Sequence, residues 1–406
     1  MEEHSQARFI VETLAKAGFI AYYAGGWVRD LLLKHPSDDI DIATNAPPET
    51  IQALFPHTVP VGIAFGIVIV IVDGRQYEVA TFRQDLDYAD GRRPSRIVFA
   101  TAAEDARRRD FTINGMFYDP LSGEIFDYVE GRADLEAKII RAIGNPHERI
   151  KEDRLRMMRA VRLACRFGFQ IEPKTAAAIR SHAEELFPAV AIERIWQELS
   201  KGHDFGKLCP MLIQLHEFGL LPVIFPSLKG VPLAQIEERL ERVFLYPKEA
   251  PVIASLLPLF PHSTLEEELA LCKQLKRSSA DQQFTAFLHH ARQLVCRAES
   301  LERADWAHFY AHPLAPMSLQ ILSAHADRLP FLKEHEERLA LLAPWIERIQ
   351  RREPVVGSEH LLKAGIQPGV AMGLLLKEAE RIAINRELCD PKLVIEQLRR
   401  SPLWPN

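Results

Sequence analysis

Ser37-Asp38-Asp39-Ile40-Asp41-Ile42-Ala43-Thr44 is the stretch on which the fold turns. Its apolar residues predict a strand over Ile40–Thr44. On a strand, side chains two apart share a face, so Asp39 and Asp41 project together while Ile40 and Ile42 turn into a core. A lone D-x-D is commonly a solvated strand end. Here the buried opposite face fixes both carboxylates, and like charges side by side repel unless a divalent cation lies between them. That arrangement suits Mg2+-assisted phosphoryl chemistry.

Upstream, Ala24-Gly25-Gly26-Trp27-Val28-Arg29-Asp30-Leu31-Leu32-Leu33 runs from a strand through two glycines into a helix. Paired glycines admit a polyanion to the backbone, and the helix that follows offers unpaired N–H groups. By itself the pair reads as an ordinary tight turn. Downstream, Arg107-Arg108-Arg109-Asp110-Phe111-Thr112-Ile113-Asn114-Gly115 sets three arginines before an aspartate. Arginine forks suit triphosphate oxygens, and Asp110 and Asn114 suit ribose hydroxyls. Alone, that run fits a solvated basic turn equally well. Further on, Glu152-Asp153-Arg154-Leu155-Arg156-Met157-Met158-Arg159-Ala160-Val161-Arg162 continues to Arg166. On a helical wheel Arg156, Arg159, Arg162 and Arg166 share one side, with Met157, Met158, Val161, Ala164 and Cys165 opposite. Asp153 and Arg156 are expected to be neighbours on this helix, a spacing that in isolation means a surface ion pair.

The rest of the chain places these elements. Residues 6–20 have helical spacing, and strands are expected at Ala21–Ala24, Gly66–Val72 and Tyr77–Arg83, with Asp73-Gly74 as a two-residue hairpin turn. After Arg141 long amphipathic helical pattern takes over, entered through Asn145-Pro146 as an N-cap with proline in the first turn. The 406 residues give room for roughly two to four domains. With 47% apolar and 26% charged residues and no apolar run of spanning length, the chain reads as globular, with no membrane association. The polar, acidic start from Met1 to Gln6 has no signal-peptide pattern. Five scattered cysteines without a C-x-x-C pair read as reduced core thiols, so the expected location is cytoplasmic. A net charge of −5 leaves RNA contact to local basic patches. His203-Asp204 resembles a metal-phosphohydrolase pair but is better explained as a helix-terminal turn before Gly206.

The four elements, in this order, resemble the class II tRNA nucleotidyltransferase and bacterial poly(A) polymerase family, over roughly residues 20–200. The family pattern is G-G-x-V-R-D, then D-x-D, then R-R-D-[FL]-T-I-N, then E-D-x-x-R. The resemblance implies an α+β fold with a polymerase-β-type nucleotidyltransferase head and mixed sheet over residues 1–140. A helical neck would follow over 141–205, and a helical body and tail over 206–406 for tRNA binding. It implies that Asp39 and Asp41 are catalytic and hold Mg2+, and that Gly25, Gly26, Arg29 and Arg109 lie near the phosphates. Asp110, Asn114, Arg159 and Arg162 complete the nucleotide site. Asp153 and Arg156 would read the base: arginine donates to cytosine O2 and N3 or adenine N1, and aspartate accepts from the exocyclic amine. ATP and CTP then pass while GTP and UTP fail. Glu78 is a place for a third acidic group, with a strand-face salt bridge as the alternative.

The segment Asp85–Arg96 resembles the family's flexible loop, carrying Asp90, Arg92 and Arg93, which helps the pocket switch between bases. The family's poly(A) polymerases carry a basic G-R-R-F-type segment, where this chain has Val61-Gly62-Ile63-Ala64-Phe65-Gly66. The activity implied is therefore addition of CCA to the tRNA 3′ end, ahead of poly(A) synthesis or CC-only or A-only addition. A catalytically silent RNA-binding scaffold fits less well, because Asp39, Asp41, Asp110, Asp153 and Arg156 are all present. No protein partner is deducible.

Overall fold

The protein is described by a computed structural model covering residues 4–35, 37–60, 65–88 and 94–405. Two compact units divide the chain, Met1–Glu237 and Glu238–Asn406.

The first unit opens with α1 (Ser5–Lys16), β1 (Ala21–Ala24), α2 (Gly26–Leu32), β2 (Asp41–Thr44) and α3 (Pro48–Leu54). Then come β3 (Thr58–Val59), β4 (Ile67–Val72), β5 (Arg75–Thr81), β6 (Arg83–Tyr88), β7 (Pro94–Phe99), α4 (Ala102–Arg107), β8 (Met116–Tyr118) and β9 (Ile125–Asp127). Seven strands form one mixed sheet in the order β3-β4-β5-β2-β1-β8-β9. Among the described residues the only parallel pair in that sheet is β2 with β5. Asp73 and Gly74 join β4 to β5 with φ of +50° and +78°, the left-handed values that a two-residue hairpin requires.

One sheet face buries Ile42, Val68, Val70 and Val79 against Ile10, Leu14, Val28 and Ile51 of the first three helices. Each such aliphatic side chain contributes ~1.5–3 kcal/mol on burial. On the opposite face Ala24, Ala43 and Phe117 pack with Phe82 and with Ala106 of α4.

The helical part follows α5 (Gly131–Glu136) and β10 (Ile139–Ile140). It comprises α6 (Pro146–Glu152), α7 (Arg156–Phe167), α8 (Pro173–His182), α9 (Ile192–Asp204) and α10 (Leu208–Glu217). Asn145 caps α6 by accepting from the His147 N–H at 3.0 Å, with Pro146 in the first turn. The segment is not wholly helical: Gln170–Ile171 forms β11 and pairs in parallel with β10. Gly168, at φ +68°, ends α7 and lets the chain turn back for that pairing.

Two expectations change. Asp85–Arg96 is not a single loop, because β6 and β7 pair antiparallel from Arg83↔Phe99 to Tyr88↔Pro94. Asp90, Arg92 and Arg93 lie outside the described residues. Of the five cysteines, all free, Cys165, Cys209 and Cys272 are buried whereas Cys296 and Cys389 are exposed, so two are not core thiols.

The second unit, among its described residues, is helical, with its core around Leu288, Trp306, Leu342, Leu361, Leu375 and Val394. No described helix is long and apolar enough to cross a membrane.

Candidate active site

Strand register explains why the separate motifs converge. Ala24 at the end of β1 pairs with Asp41 at the start of β2, so the Gly25-Gly26 turn emerges beside Asp41. On the other flank β2 runs parallel to β5 with Ile42 opposite Val79, which brings Glu78 alongside Asp41. Strand β2 begins at Asp41, one residue later than expected, and Asp39 sits in the extended segment just before it. Both carboxylates nonetheless line the same cavity of 610 Å³.

That cavity gathers Gly25, Gly26, Arg29, Asp39, Asp41, Arg109, Asp110, Asn114, Asp153, Arg156, Arg159 and Arg162. Every site residue expected from the sequence within the described residues is thus brought together. Gly25 has φ +69°, and a Cβ there would lie 2.9 Å from Arg109 Nη1. Only glycine fits both the backbone and the guanidinium above it. Arg109 is aimed by Asp105, which accepts from its Nε at 3.2 Å and Nη2 at 3.0 Å. Its guanidinium lies 5.0 Å over the Phe117 ring.

Asp41 is pushed up to about 6, first by burial in the cavity and then by the charges of Glu78 and Asp39, with Arg109 opposing. Carboxylates that repel one another beside arginines suited to phosphate form an all-oxygen donor set that fits Mg2+. Among the described residues no three His, Cys, Asp or Glu side chains are gathered tightly enough to hold a metal alone. Mg2+ does not need that, since it takes one or two carboxylates and completes its shell with water and substrate phosphates.

A hydrogen-bonded chain ties the glycine turn to α7. Arg29 donates from Nη1 to Asn114 Oδ1 at 2.6 Å, and Asn114 Nδ2 donates to Asp110 Oδ1 at 3.0 Å. Arg159 donates from Nε and Nη2 to Asp110 Oδ2 at 2.8 and 2.5 Å. Desolvation opposes the Asp110 charge, but Arg159 and Asn114 outweigh it and hold the carboxyl well below the usual range. Both Asp110 oxygens therefore already accept protein donors. Asp110 anchors Arg159 and Asn114, a role its sequence position did not reveal beside the ribose contact expected of it.

Asp153 and Arg156 are not on one helix, which corrects the expectation. Asp153 follows the end of α6 with extended backbone (φ −147°, ψ 104°), and α7 starts at Arg156. Asp153 Oδ1 accepts from the Leu155 N–H at 3.1 Å, a local turn that competes with helix. The two side chains are held by different partners. Arg194 of α9 donates to Asp153 at 2.8 and 3.3 Å, while Arg156 Nη1 donates to Glu152 and to the Arg149 carbonyl, each at 2.6 Å. The wheel itself holds: Met157, Met158, Val161, Ala164 and Cys165 are buried, and the four arginines opposite line the cavity.

Sequence reasoning missed Arg194, Glu198, Lys201 and Phe205. Glu198 accepts from Arg162 Nε at 2.5 Å, and Lys201 and Phe205 line the cavity. Their only signal was spacing along α9, Arg194 and Glu198 being one turn apart. His203 lies in the last turn of α9, which ends through Phe205 and Gly206 in a helix-terminal turn.

Residues 21–141 match the family described as poly A polymerase head domain, and residues 168–230 the one described as probable RNA and SrmB-binding site of polymerase A. The CCA-adding enzyme of Enterococcus faecalis is 47% identical over 402 residues, spanning 95% of this chain and 93% of that one. The CCA-adding enzyme of Streptococcus pyogenes is 32% identical over 99% of this chain and 98% of its own. Among solved structures, the Bacillus stearothermophilus CCA-adding enzyme in complex with CTP superposes with a TM-score of 0.80, at 29% identity and 98% coverage of both chains. The Thermotoga maritima CCA-adding enzyme complexed with tRNA shares the fold, with a TM-score of 0.67 at 20% identity over 97% of this chain and 94% of that one. A mixed-sheet head whose carboxylates, glycine turn and arginine helix meet in one cavity, with relatives matched over more than nine-tenths of their length, makes this chain a member of the class II CCA-adding enzyme family.

Proposed function

We infer that the chain adds C, C and A to the 3′ end of tRNA from CTP and ATP, releasing pyrophosphate, with Mg2+ held by Asp39 and Asp41. The observation that carries this reading is the single cavity joining Asp39 and Asp41 to Asp153 and Arg156, reaction centre and base reader in one space without a nucleic-acid template. The CTP complex of the Bacillus stearothermophilus relative and the tRNA complex of the Thermotoga maritima one support it.

Asp39 and Asp41 would hold Mg2+, which when bound would supply activation of the attacking 3′-hydroxyl and neutralisation of phosphate charge. Gly25 and Gly26 let the triphosphate approach the backbone, and Arg29 and Arg109 meet its charge in a fixed geometry, so reorganisation at the moment of reaction is small. Asp153 accepts from the exocyclic amine of cytosine or adenine, and Arg156 donates to the adjoining ring acceptors. Uracil and guanine present a carbonyl to Asp153, and two acceptors repel. Arg159, set by Asp110, and Arg162, set by Glu198, complete the nucleotide-binding wall.

We assign catalysis to residues 1–140, base recognition to 141–205 and tRNA binding to 206–406. The unpaired cysteines support a cytoplasmic location.

The deciding experiment uses tRNA ending at the discriminator base. CTP alone gives two additions, and CTP with ATP gives C, C, A and a stop. Long A tracts on unstructured RNA without CTP use favour poly(A) synthesis instead; CTP use without A, or A only onto a CC end, favours a divided-labour enzyme.

A further inference from the structure

The cavity continues along α7 past the base reader, to Arg166, Lys201 and Phe205. Its arginines on α7 run from Arg156, the first helical residue, to Arg166 in the last turn, a separation of ~15 Å along the axis. At the far end the Arg166 guanidinium lies 4.0 Å over the Phe205 ring and 4.7 Å over the Phe167 ring, and Arg29 also covers Phe167 at 4.7 Å. Arg29 is also held by Asp30, which accepts from its Nε at 2.9 Å, and by Asn114, whereas the two rings carry most of the contact of Arg166. Asp30 accepts from Arg166 Nη2 at 3.2 Å, so most of the donors of that fork remain available.

Lys201, in the last turn of α9, completes this corner. Its side chain is 53% exposed, and its carboxylate neighbour Glu198 is 4.0 Å away. Glu198 already accepts from Arg162 at 2.5 Å. Arg29, Arg162, Arg166 and Lys201 thus face Asp30 and Glu198, four positive charges against two negative. The corner is built for a multiply charged anion.

We propose that Arg166 and Lys201 seat the terminal phosphates of the incoming nucleoside triphosphate and then the pyrophosphate that leaves. The proposal rests on the nucleotidyltransferase reading above. In-line displacement puts the attacking oxygen and the leaving group on opposite sides of the α-phosphorus. Arg29, on the phosphate side of the site, belongs to the same ring stack as Arg166, which sets this corner on the leaving-group side and away from the RNA 3′ end. As the bond from the RNA 3′-oxygen to the α-phosphorus forms, the bond to the bridging oxygen breaks. The electron pair departs with pyrophosphate, the hydroxyl proton passes to solvent, and the growing charge meets Arg166 and Lys201.

Affinity for CTP and for CMP, measured calorimetrically on the full chain with Mg2+, tests this. Lys201→Ala should weaken CTP about tenfold and leave CMP unchanged, as losing one charge-assisted contact to phosphate would. Inhibition by inorganic pyrophosphate should weaken by the same factor, and Lys201→Arg should restore both. Equal weakening of CTP and CMP, no change in either, or a loss confined to the KM for tRNA overturns the proposal. Absence of CTP binding by the unmodified chain would instead sink the nucleotidyltransferase reading.

Discussion

Arg194 holds the carboxylate of Asp153 from a separate helix, donating from Nη2 to Oδ2 at 2.8 Å and from Nη1 to Oδ1 at 3.3 Å. The Leu155 N–H holds only one oxygen of this carboxylate, at 3.1 Å, which does not set its plane. The planar fork of Arg194 does, so the acceptor edge offered to an incoming base depends on a residue that need not touch the base.

Replacement of Arg194 is therefore expected to change selectivity before it changes the fold. Lysine keeps the charge but not the two-point geometry. With Arg194→Lys, discrimination of CTP over UTP should fall about tenfold, the scale of one charge-assisted hydrogen bond. Steady-state kinetics with each triphosphate, beside a melting curve, reads both. Equal losses for all four triphosphates would show that Arg194 only supports the fold.

Asp110→Asn tests the anchor between the head and α7. The substitution leaves Arg159, about a third exposed, without its carboxylate. The expected cost is on the order of 2 kcal/mol at pH 7, below the range for a fully buried pair. Because the folded state depresses the Asp110 carboxyl, its contribution is complete above the ordinary carboxylate range. On acidification the unfolded chain takes up the proton first, and the contribution fades. Denaturant titrations of both proteins should show a gap that narrows below about pH 4. A gap independent of pH would mean that the charge is not what matters.

In the second unit, His335 Nδ1 lies 2.7 Å from the Tyr310 hydroxyl and the residue is 5% exposed. Burial first, and Arg338 second, pull it down from 6.5 to about 4, against Glu334. The folded state refuses a proton that the unfolded chain accepts, so stability is full above pH 6.5 and falls as pH drops toward 4. The loss should reach the order of 3 kcal/mol. His335→Gln should flatten that slope, and the NMR titration of the assigned imidazole should have its midpoint near 4. A midpoint near 6.5 would end this account.

What could be read in the sequence was what short-range physics decides. Gly25 needs its left-handed backbone and close guanidinium, Asp73-Gly74 needs its hairpin, and Asn145 caps α6. The D-x-D spacing likewise brought Asp39 and Asp41 to one cavity. What could not be read is in part a close local competition and in part the work of distant partners. Helical periodicity continues smoothly through Asp153, and nothing local says that its side chain will take the Leu155 N–H and break the helix. Arg194 and Glu198 resemble any helical pair until α9 is packed beside α7. The ladder of β6 and β7 was hidden because Asp85, Asp87 and Gly91 look like turn residues.

Asp41→Asn separates the repulsion in the site from its catalytic use. The carboxyl of Asp41 is pushed up to about 6 by burial and by Glu78 and Asp39. A raised carboxyl contributes its full stability below the ordinary range and loses it as pH rises through about 6. At pH 7.5, without divalent ions, the neutral amide should therefore raise the Tm by about 1–3 °C, an advantage that disappears by about pH 4. Added Mg2+ should stabilise the unmodified protein by ligand linkage and the variant much less. Nucleotide addition by the variant should fall by a factor on the order of 10³, with tRNA affinity nearly unchanged because basic surfaces carry it. A lower Tm for the variant, an equal response to Mg2+, or activity within about tenfold of the unmodified enzyme would remove Asp41 from the metal site.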